Sequence, residues 1–95
     1  MGIDELKKRR DDILRIAEKH GAYNVRVFGS IVRGEARPDS DVDILVEVGT
    51  RHSAFFPGGL VADLEELLGR HVDVVTEKGL NALIKARVLH EAVAL

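Results

Sequence analysis

The sequence lacks cysteine altogether, and its apolar runs are all short. Without thiols, neither disulfides nor thiolate metal sites are available, and nothing in the composition requires an oxidising compartment. No apolar run is long enough to cross a bilayer, and the charged amino terminus differs from a signal peptide. We therefore expect a cytoplasmic protein without a membrane partner.

The chain also lacks an excess of positive charge, because its formal net charge at pH 7 is -2. The attraction of a whole basic domain to a phosphate backbone is thus missing, and nucleic acid is not the expected direct partner. What is present is the balance of a soluble globular protein, with 45% hydrophobic and 32% charged residues. A length of 95 residues predicts a single domain over residues 1–95.

Hydrophobic periodicity predicts that helices and strands alternate along the chain. The first element is a helix over Asp4–Lys19, where apolar residues recur at helical spacing. The second is a strand over Tyr23–Phe28, which should turn Tyr23, Val25 and Val27 to one face. A short helix over residues 30–34 and a loop over residues 35–40 follow.

The second half continues the alternation. Val42–Val48 has the period of a strand packed on one side, and His71–Thr76 is a further short strand. Between them, leucines at helical spacing predict a helix that Gly69 closes. A final helix is expected to be lined by Leu80, Ile84, Val88 and Leu95. The predicted class is α/β (α+β), a small mixed sheet with flanking helices.

Gly29 and Ser30 stand where the first strand should end and the short helix should begin. Free backbone N–H groups and the helix dipole favour a phosphate at such a point, and glycine lets the backbone approach it closely. The same pair also makes ordinary strand-to-helix turns and helix caps, so it is weak evidence alone.

Asp41 and Asp43 are two carboxylates at the start of an otherwise hydrophobic strand. Two residues apart on a strand, they point the same way with backbone positions about 6.5 Å apart, so their oxygens can converge on shared cations. Oxygen ligands of this kind suit Mg²⁺. Asp73 interrupts another apolar strand, and it either faces water or joins the same face if the two strands are neighbours.

Together these residues resemble the nucleotidyltransferase superfamily, which includes DNA polymerase beta and the aminoglycoside nucleotidyltransferases. The order Gly29-Ser30, Arg33-Gly34, Ser40-Asp41-Val42-Asp43 and a later strand aspartate, Asp73, is similar to the signature of stand-alone minimal nucleotidyltransferase (MNT) domains. The resemblance covers nearly the whole chain, and the final segment from Ile84 to Ala92 looks like the family's ending.

The resemblance implies a two-metal in-line displacement on the α-phosphorus of ATP. Asp41, Asp43 and Asp73 would be the catalytic and Mg²⁺-binding residues, with Asp73 serving the acceptor hydroxyl. Nucleotide contacts are implied at Gly29, Ser30, Arg33 and Ser40. Arg33 has two readings, since it either pairs with phosphate or braces the loop through Asp39 or Asp41.

The resemblance also implies a partner, because stand-alone MNT proteins usually serve as antitoxins that transfer AMP from ATP to a tyrosine of a HEPN-domain ribonuclease toxin. The alternatives are an antitoxin that works by contact alone, and a nucleotidyltransferase acting on a small molecule such as an aminoglycoside. A homo- or hetero-oligomer is expected to supply the acceptor wall. Phe55, Phe56 and Pro57 form either a docking patch or a loop folded onto the domain's own core.

The remaining polar candidates are expected to be solvated or boundary residues. Arg70 and Lys78 flank the Asp73 strand and could meet phosphates, although solvated charge is the favoured role. Ser53 and Ser40 have no evident histidine partner for nucleophilic work. The histidines lack the paired spacing of a zinc site: His20, His52, His71 and His90.

Overall fold

The computed structural model describes residues 2–50 and 56–95. Its helices and strands alternate much as the periodicity predicts. The nine elements, in chain order, are α1 Ile3–Lys8, α2 Arg10–Lys19, β1 Ala22–Phe28, α3 Ser30–Arg33, β2 Val42–Val48, α4 Gly58–Leu68, β3 Val72–Thr76, α5 Ala82–Glu91 and β4 Val93–Ala94.

Four strands form one mixed sheet in the order β3-β2-β1-β4. Strands β2 and β3 run parallel, whereas β1 is antiparallel to both of its neighbours, β2 and β4. The mixed sheet with flanking helices confirms the predicted fold class.

The hydrophobic core lies on one face of this sheet, between the strands and helices α1, α2 and α4. Val42, Ile44 and Val46 of β2 are buried there, as their alternation predicts. Leu45 points to the opposite face and is nevertheless fully buried. Asp43 shares that opposite face, so the acidic residues lie on the side of the sheet away from the main core.

Three sequence predictions about the elements were wrong in detail. The first helix is not continuous, because Arg9 leaves helical geometry and separates α1 from α2. Tyr23 does not share a face with Val25 and Val27, because the β1 register shifts at Asn24, which has a positive φ of 51°. Tyr23 is therefore 54% exposed while the two valines are buried.

The third correction concerns the end of the chain, where one helix was expected to reach Leu95. Helix α5 ends at Glu91, and Val93 and Ala94 form a fourth strand that pairs with β1. The Leu95 N–H also donates to the Val25 carbonyl at 3.1 Å. Of the α5 side chains, Val88 alone is buried, so this helix is held at its end rather than through its length. Across the described residues, no helix has the length and apolarity needed to cross a membrane.

Candidate functional site

The parallel pairing of β2 with β3 brings two of the predicted carboxylates side by side. Asp43 and Asp73 are direct partners in the register of these strands. Side chains at such positions point to the same face from backbones about 4.8 Å apart. Asp41 lies two residues before Asp43, immediately before the same strand. The sequence predicted that Asp73 would join the face of Asp43 only if the two strands were neighbours. In the structure they are neighbours.

These three aspartates form a concentration of unbalanced negative charge. Among the described residues, none donates a hydrogen bond or an ion pair to them. Burial, followed by the charges of Asp73 and Asp41, raises the pKa of Asp43 to about 6 from an ordinary value of 3.8. Asp41 and Asp73 are exposed, and Asp43 is half-buried. The cluster would therefore be stabilised by a cation.

The donor set fits Mg²⁺, since it offers carboxylate oxygens that no cationic side chain of the described chain already neutralises. The described residues contain no group of three or more acidic, histidine or cysteine side chains already arranged to hold a metal. Mg²⁺ commonly binds through one or two carboxylates and completes its shell with water and substrate phosphates. The cluster matches that mode of binding, with substrate phosphate completing the coordination.

Gly29 packs directly against the Asp43 carboxylate. Its backbone has φ 82° and ψ -155°, a conformation that is essentially restricted to glycine. A Cβ atom built on Gly29 would lie 2.2 Å from Oδ2 of Asp43. The sequence interpretation was that the absence of a side chain at Gly29 lets a phosphate approach. In the structure, this absence makes room for the Asp43 carboxylate.

Ser30 begins α3 directly after Gly29, which places it near the aspartates. Its side chain is half-buried, and its hydroxyl makes no hydrogen bond with any described residue. A hydroxyl donor that no described residue engages suits an incoming phosphate oxygen at this position.

The Glu91 carboxylate accepts hydrogen bonds from two residues that the sequence analysis assigned to phosphate binding. Its carboxylate accepts the Gly29 N–H at 3.1 Å and the Arg33 guanidinium at 2.7 Å. Burial alone would raise the pKa of Glu91, but hydrogen bonds from Arg33 and Gly29 and the nearby charge of Arg87 hold it below its ordinary value. The carboxylate therefore stays ionised in this position.

Arg33 also pairs with Glu35 at 3.1 Å. Its partners are thus Glu35 and Glu91, and of the two alternatives the one that braces the loop through Asp39 or Asp41 was wrong. The long-range contact with Glu91 joins residues 58 positions apart in the chain, so no local pattern could have revealed it.

The loop before Asp41 is held by a hydrogen bond within it and by Arg70, which lies between α4 and β3. The Ser40 hydroxyl accepts the Arg37 N–H at 2.8 Å, which closes a turn. The Arg70 guanidinium donates to the carbonyls of Pro38 and Ser40. Arg70 is therefore committed to holding this loop rather than simply solvated, and Ser40 uses its hydroxyl in the turn.

A cleft of about 260 Å³ connects these groups, with the sheet on one side and α5 on the other. The sequence analysis did not single out the four α5 residues that line this cleft as site residues, namely Ile84, Arg87, Val88 and Glu91. The residues that line the cleft are Phe28, Gly29, Arg33, Asp43, Ile84, Arg87, Val88 and Glu91.

A second cavity, of about 250 Å³, lies at the other end of the sheet. Glu47 of β2 and Glu77, which directly follows β3, line it, four residues after Asp43 and Asp73 respectively. Four residues of strand span about 13 Å, so this cavity is separate from the carboxylates. Lys78 lines this second cavity, which removes it from the neighbourhood of Asp73.

Other sequence candidates have structural surroundings of their own. His20 contacts Asp63 at 2.7 Å and His71 contacts Glu65 at 3.2 Å, while His90 is exposed. Phe56 is half-buried and packs against the core, which favours the folded-loop alternative for this residue. His52, Ser53 and Phe55 lie outside the described residues.

Comparison with known proteins agrees with the nucleotidyltransferase resemblance of the sequence motifs. The family model described as "Nucleotidyltransferase domain" matches residues 4–95. A Methanocaldococcus jannaschii protein, MJ0435, which has a provisional protein adenylyltransferase name, is 43% identical over 93 residues, or 98% of this chain and 97% of that protein. Protein adenylyltransferase MntA of Thermococcus cleftensis is 45% identical over 78 residues, or 82% of this chain and 79% of that protein.

Solved structures agree with these relatives. One that is described provisionally as a minimal nucleotidyltransferase has a TM-score of 0.86 and 44% identity, covering 100% of this chain and 97% of that chain. A toxin–antitoxin structure with AMP-PNP has a TM-score of 0.75 and 20% identity, covering 88% of this chain and 69% of that chain. At that identity, the second similarity shows a shared fold.

Proposed function

Because this chain belongs to the nucleotidyltransferase domain family, we propose that it transfers AMP from ATP to a hydroxyl group of a partner protein. The observation that carries the proposal is the pairing of Asp43 with Asp73 in neighbouring strands, directly against Gly29. Two relatives with protein adenylyltransferase names support a protein acceptor.

In the proposed reaction, the acceptor oxygen attacks the α-phosphorus of ATP. The bond from this phosphorus to the oxygen that bridges to the β-phosphate breaks, and pyrophosphate leaves with the bonding electrons. The acceptor proton passes to Asp73, which is exposed and lies beside Asp43. Asp41 and Asp43 would act on the reacting phosphate through the Mg²⁺ that they would hold, because bare carboxylates repel it, and the Ser30 hydroxyl donates to a phosphate oxygen.

The three aspartates would hold two Mg²⁺ ions. When bound, Mg²⁺ supplies positive charge for the phosphates and lowers the pKa of the acceptor hydroxyl. Burial and the charges of Asp73 and Asp41 raise the pKa of Asp43, and a bound cation would offset this repulsion. Arg70 and the Ser40 turn would contribute by fixing the loop that leads into Asp41.

The proposed acceptor is a tyrosine of a HEPN-domain ribonuclease toxin, which makes this protein an antitoxin that acts by modification. A toxin–antitoxin structure named MntA-HepT shares the fold, with a TM-score of 0.69. The exposure of Asp41 and Asp73 supports an acceptor carried on another protein, because a hydroxyl from outside the domain can reach them. We expect a hetero-oligomer with the toxin.

The test mixes the purified protein with a candidate HEPN-domain toxin from the same genome, ATP and Mg²⁺. Intact mass should show one or more added adenylyl groups on the toxin, and peptide mapping should place them on tyrosine. The variant Asp41→Asn with Asp43→Asn should abolish the added mass while complex formation survives. Asp39→Asn is the matched control, because Asp39 is a neighbouring exposed acid without a described partner.

Two results would replace this proposal. If the double variant still neutralises the toxin fully in cells and no modified tyrosine is found, inhibition is by contact alone. If the toxin is never modified but a small-molecule panel that includes aminoglycosides yields a nucleotidylated product, the acceptor is a small molecule.

A further inference from the structure

The cleft beside the aspartates has two cationic residues among its described lining, Arg33 and Arg87. Arg33 is already committed, because it donates to both Glu35 and Glu91. Arg87 is exposed and makes no hydrogen bond or ion pair with any described residue. Within the described part of this cleft, Arg87 is therefore the guanidinium that remains available to a ligand.

A second predicted phosphate donor, the backbone N–H of Gly29, is also taken. The single N–H of Gly29 donates to Glu91, and a phosphate cannot use the same hydrogen without repelling that carboxylate. The Glu91 side chain is 15% exposed. It is followed at once by β4, whose pairing with β1 holds the end of α5 in place. A bound nucleotide is thus expected to leave Glu91 where it is and to find other donors.

From this arrangement we propose that Arg87 binds the phosphate groups of the nucleotide, an inference that rests on the proposed function. Arg87 lies one helical turn before Glu91 and one turn after Ile84, so all three face the cleft from α5. Asp43 lines the opposite side. A polyphosphate between them would meet positive charge from Arg87 near an otherwise acidic cluster.

An arginine suits this role for a chemical reason. Its planar guanidinium presents two parallel N–H groups to two phosphate oxygens and remains charged at any working pH. Lysine would keep the charge but lose the bidentate contact. The contribution should therefore depend both on the charge of the residue and on the number of phosphates in the ligand.

The experiment measures binding of ATP and of AMP to the full chain by calorimetry, with Mg²⁺ present and no acceptor. Arg87→Ala should weaken ATP binding by about ten- to a hundredfold, the range expected for a lost charged hydrogen bond. AMP binding should weaken less, and Arg87→Lys should fall between the wild type and Arg87→Ala. Lys85→Ala is the matched control, because Lys85 is two residues away and so on the other side of α5.

The outcomes distinguish a failure of this inference from a failure of the proposed function. If Arg87→Ala binds ATP as tightly as the wild type does, the inference is overturned and the proposed function still stands. Equal losses for ATP and AMP, or a matching loss in Lys85→Ala, would also overturn it, since they indicate a general change in α5. If the wild type binds no nucleotide, both proposals fall together. Circular dichroism of each variant is the check that the fold is kept.

Discussion

Replacing Gly29 with alanine would place a methyl group against the carboxylate of Asp43. The new Cβ would lie 2.2 Å from Oδ2, well inside van der Waals contact, so one of the two groups must move. The Asp43 side chain can avoid the methyl group by rotating, which would move its carboxylate relative to Asp73. The substitution therefore tests whether Gly29 keeps the carboxylate cluster together.

The stability cost has two parts. A residue other than glycine at φ 82° and ψ -155° costs about 1–3 kcal/mol in backbone strain. Displacing Asp43 adds to this cost. For a domain of this size, each 1 kcal/mol lowers the melting temperature by about 4–8 °C. We expect Gly29→Ala to melt well below the wild type and to lose ATP binding.

Gly34→Ala is the control for strain alone. Gly34 also has a positive φ, 73°, but nothing lies within 4 Å of a Cβ built there. That variant should cost about 1–2 kcal/mol, the usual penalty for a left-handed residue, and should keep its affinity for ATP. Thermal melts and calorimetric titration with ATP and Mg²⁺ measure both effects. Equal melting temperatures for the two variants, with ATP affinity intact in both, would refute the packing role of Gly29.

Three further predictions concern the same cluster. Because the pKa of Asp43 is raised in the folded state, the metal-free protein should lose stability as pH rises between 3.8 and about 6. Thermal melts in a chelator should show that Asp43→Asn flattens this loss. Adding Mg²⁺ with ATP at a hundred times its dissociation constant should stabilise the wild type by about 2.7 kcal/mol, and Asp43→Asn should lack this gain in urea titrations. Glu91→Gln should lower the free energy of unfolding by about 1 kcal/mol, measured the same way, because the charged hydrogen bond from Arg33 is weakened.

The sequence was informative where chemistry breaks a local pattern. Asp43 and Asp73 each interrupt an apolar strand, and both lie on the face that alternation assigns to Asp43. The alternation in Val42–Val48 also predicted the burial of Val42, Ile44 and Val46, although not that of Leu45. Such signals depend on residues one to four positions apart, and the strand periods that they follow are short-range properties.

What the sequence missed depends on distant residues or on very short elements. Glu91 reaches Gly29 across 62 positions, and a two-residue strand at Val93 and Ala94 has no period to detect. The positive φ of Asn24 turns Tyr23 away from the face of Val25 and Val27. The sequence did not reveal this turn, because asparagine also occurs in ordinary strands and turns. That Arg87 lines the cleft without a hydrogen bond or ion pair to a described residue becomes visible only once α5 is placed beside the sheet.

The central claim, that the aspartate cluster drives transfer of a nucleotidyl group, is tested most directly by following two labels in ATP. With the toxin, Mg²⁺ and ATP labelled at the α-phosphorus, the label should appear on the toxin and should be absent with Asp41→Asn plus Asp43→Asn. With ATP labelled at the γ-phosphorus, all released label should be found in pyrophosphate. Label from the γ-phosphorus on the toxin, or equal α-label transfer by the double variant, would contradict the account.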